Sequence, residues 1–236
     1  MTWSIIARDQ ATGHIGIAVA TKFFAVGALV PHIAAGIGGI ATQALVNPYY
    51  GIDGARLLRE GRVPREIIDT LIAADNGRES RQVHIMDARG RVASHTGKEC
   101  VDWCGQVEGN GFSIAGNMLA GAAVLDETAK TYVACEKQPF AQRLIAAMQA
   151  GEAAGGDKRG KQSAALLIHG DEEWSSLDLR VDDHADPLAE LERLEQVSRE
   201  RWVHFRQFLP SRKNPAGVTD RAIINAGVDA AIACAK

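Results

Sequence analysis

Thr2 is the residue whose position and chemistry most directly indicate nucleophilic catalysis. It follows Met1, and its small side chain permits removal of that methionine. Cleavage of the Met1–Thr2 bond would leave a threonine with a hydroxyl and a free α-amine, whose ordinary pKa is about 8. The amine can take the hydroxyl proton while the oxygen attacks an acyl carbon. The alternative is that Thr2 is an ordinary residue near the start of a strand.

Lys22 and Ser4 are the nearest candidates to assist Thr2. Lys22 follows the second predicted strand, at the mouth of the first hairpin, and a nearby ammonium lowers the pKa of an amine. Ser4 lies two residues beyond Thr2 and therefore on the same face of a strand. The alternative for Lys22 is a solvated lysine at a strand end.

Amide side chains at strand ends are candidates to bind the reacting group. Gly116 and Asn117 precede a predicted helix, where a backbone N–H and an amide donor can stabilise a negatively charged oxygen. Gln43 and Asn47 are neutral hydrogen-bonding residues suited to binding an amide or carboxylate substrate. Helix capping is the alternative for Asn117, and turn formation before Pro48 is the alternative for Asn47.

The glycine-rich segment 155–163 carries a second group of candidates. Its backbone N–H groups, with Lys158 and Arg159, can bind an anion, although the spacing is not that of a P-loop. Asp157, Arg159 and Ser163 are candidates to support the nucleophile or to contact substrate. The alternative is a solvated charged loop.

Asp182, Asp183 and His184 have the side-chain types that ligate metals. They also lie between a strand and a helix, where Asp186 and Pro187 suit a helix cap and first turn. We therefore predict no metal and no other cofactor, and we keep a metal-dependent hydrolase as an alternative function.

Composition limits the class of protein. The chain has 236 residues, 46% of them hydrophobic and 23% charged, with a net charge of −3, which is typical of a globular protein without a nucleic-acid surface. Four scattered cysteines indicate reduced thiols. The segment 23–52 lacks acidic and basic residues, but Pro31 and several glycines interrupt it, which favours buried strands over a membrane span. Without a recognisable signal segment, we predict a cytoplasmic protein.

The elements that must position these residues begin with a hairpin, in which apolar runs at 5–7 and 15–20 flank turn residues 9–13. Further strands are predicted over 25–30, 32–35, 39–43, 81–87, 91–95, 112–115, 164–169 and 177–181, and helices over 50–60, 64–74, 120–134, 139–150, 186–210 and 218–235. Separate runs of strands and helices predict an α+β layered fold. We expect a domain over 1–210 and a linker with a helical tail over 211–236.

Several segments of the sequence resemble a known family. They are T-W-S-I-I-A-R-D, A-V-A-T-K-F-F-A-V-G, A-T-Q-A-L-V-N-P-Y-Y-G, G-N-M-L-A-G, G-G-D-K-R-G-K-Q-S-A-A-L-L and D-L-R-V-D-D-H-A-D-P. The chain from about Thr2 to Leu194 resembles an uncharacterised bacterial family catalogued as domain of unknown function 1028. The resemblance implies a four-layer αββα sandwich of two antiparallel sheets, like that of N-terminal nucleophile hydrolases such as proteasome β-subunits. It implies no substrate.

Proteasome-like chains return to the sheet through a loop that carries Asp and Ser, and Asp157 and Ser163 stand at that point here. Proteasome-type sites also place a lysine on the third strand, whereas the segment 31–36 contains His32 and no lysine. We therefore predict a hydrolase of a small amide that uses Thr2 but departs from the proteasome mechanism. A non-catalytic ligand-binding or assembly protein with the same fold is the alternative.

Partner predictions follow from the same segments. The expected ligand is a small-molecule substrate, with no nucleic acid and no membrane. The aliphatic segment 27–46 and the long amphipathic helix predict a homo-oligomer.

Overall fold

Two antiparallel sheets form the centre of the computed structural model, which describes residues 2–234; Met1, Ala235 and Lys236 lie outside the described residues. The strands are β1 (Thr2–Arg8), β2 (Ile15–Thr21), β3 (Pro31–Ala34), β4 (Gly38–Ala44), β5 (Arg81–Asp87), β6 (Val92–Thr96), β7 (Trp103–Gly109), β8 (Phe112–Leu119), β9 (Ser163–His169) and β10 (Ser175–Val181). The larger sheet has the order β10-β9-β2-β1-β8-β7, and the smaller has the order β3-β4-β5-β6. β1 is therefore an inner strand, paired on both sides.

Most of the helices cover the outer faces of the sheets. They are α1 (Pro48–Arg59), α2 (Pro64–Ala73), α3 (Ala123–Ala134), α4 (Phe140–Ala153), α5 (Pro187–Glu200), α6 (Trp202–Phe205) and α7 (Arg221–Cys234). Helices α1 and α2 pack on the smaller sheet, and α3, α4 and α5 pack on the larger sheet. The inner faces meet through β1, β2 and β8 on one side and β3, β4 and β5 on the other. The predicted α+β, four-layer αββα architecture is confirmed.

The alternation of side chains along β1 decides which residues reach the middle of the molecule. Trp3 and Ile5 are buried in the core between the larger sheet and its helices. Ile6 is buried in the core between the two sheets. Since Thr2 and Ser4 share the face of Ile6, both point toward the space between the sheets.

Several elements differ from the sequence predictions. β7 was not predicted, because its polar residues Cys104, Gln106 and Glu108 interrupt any apolar run and its exposed positions alternate. The segment 26–28 is a 3₁₀ turn and not a strand, since Ala25 before it takes a left-handed backbone conformation with φ 53°. Helix α3 begins at Ala123 rather than near residue 120.

The single helix predicted over 186–210 is also divided. Helix α5 ends at Glu200, and α6 and a 3₁₀ turn follow. The Trp202 indole donates to the carbonyl oxygen of Ser176 on β10 at 2.9 Å, which holds the divided segment against the sheet.

The C-terminal segment packs on the body of the protein. The Val218 N–H donates to the carbonyl oxygen of Phe208, and the Trp174 indole donates to that of Pro210. Val228 of α7 is fully buried. The predicted division between 1–210 and 211–236 remains a prediction. No helix within residues 2–234 is both long and apolar enough to cross a membrane.

Candidate active site

Thr2 lies in the floor of a cleft that has a volume of about 720 Å³. In the sheet it stands between Thr21 of β2 and Asn117 of β8. The Thr2 hydroxyl donates to the Thr21 hydroxyl at 3.1 Å, and the Thr2 residue is 7% exposed. The predicted nucleophile is therefore buried yet lines a cavity of ligand size.

Two amide side chains hold the carbonyl oxygen of Thr2. Gln43 Nε2 and Asn117 Nδ2 each donate to it at 3.3 Å. Both amides also donate to Gln82 Oε1, at 2.8 Å and 3.0 Å respectively. Gln43 and Asn117 are fully buried, and they come from the smaller and the larger sheet respectively. Their hydrogen bonds therefore connect the start of β1 to both sheets.

Gln82 connects this cluster to the larger sheet. Its Nε2 donates to the Gly116 carbonyl oxygen at 2.9 Å and to the Thr96 hydroxyl at 2.9 Å. Because Gln82 is fully buried, its amide orientation is set by these fixed partners. Its oxygen must face Asn117 and Gln43, since both present N–H donors.

Ser4 is part of a polar chain inside the protein and does not line the cleft. Its hydroxyl donates to Gln43 Oε1 at 2.7 Å and lies 2.9 Å from His84 Nε2. Since the single hydroxyl proton goes to Gln43, His84 Nε2 carries a proton and donates to Ser4. His84 Nδ1 then accepts from the Ser113 hydroxyl at 2.9 Å. Burial lowers the pKa of His84 to about 3, so the ring is neutral.

Asp157 joins the loop before β9 to the start of the segment after β2. Its Oδ2 accepts the backbone N–H of Lys22 at 2.7 Å, and its Oδ1 accepts that of Arg159 at 2.8 Å. The Arg159 guanidinium forms an ion pair with the same carboxylate at 3.1 Å, and Arg159 lines the cleft. Asp157 therefore anchors the wall of the cleft.

Lys22 takes part through its backbone. Its exposed ammonium donates to the carbonyl oxygen of Lys161 at 3.0 Å. Lys22 itself does not line the Thr2 cleft. The backbone N–H of Lys22 thus contacts Asp157 beside the cleft, whereas its ammonium group points to Lys161 in the loop before β9.

Ser163 shapes the same wall. Its hydroxyl donates to the Phe23 carbonyl oxygen at 2.5 Å and accepts the Val26 N–H at 3.2 Å. Phe23 and Val26 both line the cleft. Ser163 is fully buried, and these two bonds fix the backbone on which the wall side chains are carried.

Gly116 lies within β8, opposite Trp3 of β1. A Cβ atom here would meet Leu119 and Trp3 on the helix-facing side of the sheet, and Gly116 does not line the cleft. Neither Gly116 nor Asn117 stands at a helix start, because β8 continues to Leu119 and α3 begins at Ala123. The capping alternative for Asn117 is therefore wrong.

Asn47 lies outside the Thr2 cleft and caps helix α1. Its Oδ1 accepts the Tyr49 N–H at 3.1 Å, and its Nδ2 donates to Asp75 at 3.2 Å. Burial opposes ionisation of Asp75, but hydrogen bonds led by those from Gly77 and Arg81 outweigh it and hold the pKa at about 2. Asn47 thus fixes the start of α1.

The carboxylates of the segment after β10 bind to separate partners and do not converge on one point. Asp182 pairs with Arg180 at 3.0 Å, and Asp183 accepts from the Gln162 amide at 3.1 Å. Asp186 Oδ1 accepts the backbone N–H of Ala189 and caps α5. Across residues 2–234, no three His, Cys, Asp or Glu side chains gather closely enough to hold a metal ion.

Sequence reasoning missed Gln82, His84 and Thr21. Gln82 and His84 alternate with Val83 and Ile85 on β5, and two polar residues on one face of an inner strand were the available signal. The partners of His84 and some of those of Gln82 lie on the other sheet, and sequence alone does not identify contacts between sheets.

Ala44 and Met118 are further residues that the sequence did not indicate. Both line the cleft and take left-handed backbone conformations, with φ 70° and 54°. Each directly follows one of the two amides that hold Thr2. Such backbone is unfavourable for residues other than glycine and is often found at functional sites.

These features define a class: an αββα sandwich whose first strand carries a threonine into a ligand-sized cleft. The chain belongs to the family of unknown function DUF1028, whose family model matches residues 2–191. This confirms the resemblance noted in the sequence.

Two solved structures resemble the chain to different degrees. The crystal structure of protein SPO2555 from Silicibacter pomeroyi, also assigned to DUF1028, has 33% sequence identity and a TM-score of 0.85, over 93% of this chain and 96% of that one. Anbu (ancestral beta-subunit) from Yersinia bercovieri has 11% identity and a TM-score of 0.39, over 84% and 97% of the two chains. No curated protein matches the sequence.

Proposed function

We propose that this protein is an N-terminal nucleophile hydrolase that cleaves the C–N bond of a small amide through Thr2. The observation that carries the proposal is the position of Thr2 on an inner strand, in the floor of a cleft of about 720 Å³.

The reaction requires removal of Met1. The freed α-amine of Thr2 takes the hydroxyl proton, and the hydroxyl oxygen attacks the acyl carbon of the amide. The C–N bond breaks, the leaving amine receives the proton, and an acyl ester on Thr2 remains. Water then attacks this ester, releases the carboxylic acid and returns the proton to the hydroxyl.

Asn117 is the proposed donor to the negatively charged oxygen of the tetrahedral intermediate, because it lines the cleft beside Thr2. Its bond to the Thr2 carbonyl oxygen is long at 3.3 Å and is the bond that an oxyanion would replace. Gly116, the other residue of the predicted pair, supports the site through its carbonyl bond to Gln82.

Asp157 and Ser163 are proposed to support the site by fixing the segment 22–26, because their side chains form hydrogen bonds to its backbone. Lys22 is proposed to contribute the backbone N–H that Asp157 accepts. Gln43 is proposed to position Thr2 and the substrate, and Arg159 to contact the substrate. Ser4 acts through Gln43, and Asn47 acts through the start of α1.

The test is the mass and reactivity of untagged protein. We expect intact mass spectrometry to show loss of the mass of Met1, and a β-lactone probe to label Thr2. The Thr2→Ala variant should not be labelled, whereas Thr21→Ala, which removes the neighbouring hydroxyl, should still be. Retention of Met1 in the purified protein would overturn the Thr2 mechanism.

A non-catalytic binding protein is the second candidate, and the position of Lys22 favours it. Its ammonium is directed to the Lys161 carbonyl oxygen, and the segment 31–36 supplies no other lysine. Ligand binding by protein with a free Thr2 amine, without turnover of any amide, would support this candidate over the hydrolase.

A further inference from the structure

The walls of the Thr2 cleft differ in chemistry from its floor. Thr2, Thr21, Gln43 and Asn117 form a polar floor, and all four are buried. The remaining walls are largely aliphatic and aromatic, and they comprise Phe23, Val26, Leu29, Val30, Leu45, Val46, Val101 and Met118. A substrate that fills this cleft must therefore present a polar bond to the floor and apolar surface to the walls.

The apolar walls extend from the interior to the solvent. Val26 and Val30 are each 4% exposed, whereas Phe23, Leu45 and Val101 are 57%, 67% and 56% exposed. Large side chains left this exposed around one cleft are a marker of ligand contact. A flexible apolar chain that runs from the floor to the rim would cover all five side chains.

The cleft carries charged side chains of both signs. Arg81 and Arg159 are its cations. Arg81 is engaged by Asp75 at 3.1 Å and by the Leu45 carbonyl oxygen at 2.6 Å. The Arg159 side chain is 41% exposed while it contacts Asp157.

The guanidinium of arginine is suited to carboxylates, and that of Arg159 donates to Asp157 from Nε at 3.4 Å and from Nη2 at 3.1 Å while its side chain stays partly exposed in the cleft. The acidic residue of the cleft, Glu99, accepts from the Ser80 hydroxyl at 2.5 Å. It lies on the segment that also carries Val101 and Asp102, and Asp102 pairs with Lys158, the neighbour of Arg159 in the chain, at 3.5 Å.

Arg159 is linked to Thr2 through short contacts. Thr2 bonds to Thr21, the next residue after Thr21 donates its N–H to Asp157, and Asp157 pairs with Arg159. Thr2 and Arg159 also line the same cleft, so a carboxylate held by Arg159 shares that cleft with an amide held over Thr2.

We propose that the substrate is an N-acyl amino acid with a medium or long apolar acyl chain. The proposal rests on the hydrolase function proposed above and specifies its substrate class. The acyl chain lies along the apolar walls, the amide carbonyl lies over Thr2, and the amino-acid carboxylate binds Arg159. The reaction consumes one water and yields a fatty acid and a free amino acid.

A chain-length series tests the acyl assignment. N-acetyl-, N-hexanoyl- and N-decanoylglycine are given to protein whose Met1 has been removed, and release of glycine is measured. We expect kcat/KM to rise at least tenfold from the acetyl to the decanoyl compound, since each buried methylene contributes to binding. Hydrolysis of all three at equal rates would overturn the substrate class and leave the hydrolase function standing.

Matched variants test the walls. Phe23→Asp places a charge on the rim, and we expect it to reduce the preference for the decanoyl compound at least fivefold. Ile223→Asp changes an apolar residue of equal exposure, 57%, on α7, and should retain the preference. An equal effect of both variants would overturn the assignment of the walls.

The carboxylate assignment is tested by comparing N-decanoylglycine with N-decanoylglycinamide. We expect the acid to be preferred about tenfold and Arg159→Met to remove most of that preference. Arg221→Met, at an exposed position on α7, should retain it. A preference that survives Arg159→Met would overturn the role of Arg159.

Ligand binding to the Thr2→Ala variant tests the ligand class separately from the hydrolase function, because binding does not depend on turnover. Calorimetry with N-decanoylglycine should show binding that is lost with N-acetylglycine. Binding without turnover by the parent protein would support the ligand class and overturn the hydrolase. Absence of binding and of turnover for the decanoyl compound would overturn the ligand class.

Discussion

Asn117 donates a hydrogen bond from its side-chain amide to the carbonyl oxygen of Thr2 at 3.3 Å, from the position directly opposite in the β1–β8 strand pair. The same amide donates to Gln82 Oε1 at 3.0 Å, so both of its hydrogens have acceptors. The strand register therefore joins the first described residue to a polar cluster that connects the two sheets.

Replacement of Asn117 by alanine should lower the stability of the protein. Asn117→Ala leaves Gln82 Oε1 and the Thr2 carbonyl oxygen each with one donor fewer in a buried place, and we expect a loss of about 1–3 kcal/mol in the free energy of unfolding. Chemical denaturation measures this. Asn225→Ala removes an exposed acceptor of Arg201 and should change stability by no more than about 0.5 kcal/mol. Equal losses in the two variants would contradict a central role for Asn117.

Asp157 should contribute far more to the free energy of unfolding than an exposed carboxylate that also pairs with an arginine. Asp157→Asn exchanges an acceptor for a donor opposite the N–H groups of Lys22 and Arg159, and we expect a loss of about 2–3 kcal/mol in stability. Asp182→Asn breaks the exposed ion pair with Arg180 and should cost less than about 1 kcal/mol. Thermal and urea unfolding of both variants check the difference, and a smaller loss for Asp157→Asn than for Asp182→Asn would refute it.

Stability should fall in mild acid because of His84. Its folded pKa of about 3 lies below the ordinary value of 6.5, so the unfolded chain binds the proton first. The stability is fully present above pH 6.5 and decreases as the pH falls toward 3, by about 2 kcal/mol at pH 5. Urea unfolding between pH 5 and 7.5 measures the slope.

The control for this slope exchanges one histidine at a time. His84→Gln should reduce the pH dependence, although some remains because burial also lowers the pKa values of His32 and His169. His184→Gln changes an exposed histidine and should leave the dependence on His84 intact. A slope unchanged by His84→Gln would contradict the assignment.

Ala44 should tolerate glycine well. Its φ of 70° costs about 1 kcal/mol for a residue with a Cβ, so Ala44→Gly should raise the free energy of unfolding by up to about 1 kcal/mol. Gly90→Ala makes the reverse change at φ 77°, where an added Cβ meets nothing within 4 Å, and should destabilise by a similar amount. Denaturation curves of the two variants should move in opposite directions, and destabilisation by Ala44→Gly would show that the strain is absent.

The sequence by itself determined the layered α+β fold and most of its elements. Apolar runs on both sides of turn residues placed β1 and β2, and Pro64 with its helical spacing placed α2, because local propensity and burial agree there. β7 was missed since a half-exposed edge strand of mixed residues has no strong local pattern.

Only the tertiary structure decided how the predicted residues meet. Thr2, Gln43, Asn117 and Asp157 are separated in the chain and come together through strand register and sheet packing. The same packing brings the Ser4 hydroxyl within hydrogen-bond distance of His84 and directs the Lys22 ammonium toward the carbonyl oxygen of Lys161. Local sequence sets which face of a strand is polar, whereas the partner of each polar group depends on how the two sheets are stacked, which is a long-range property of the folded chain.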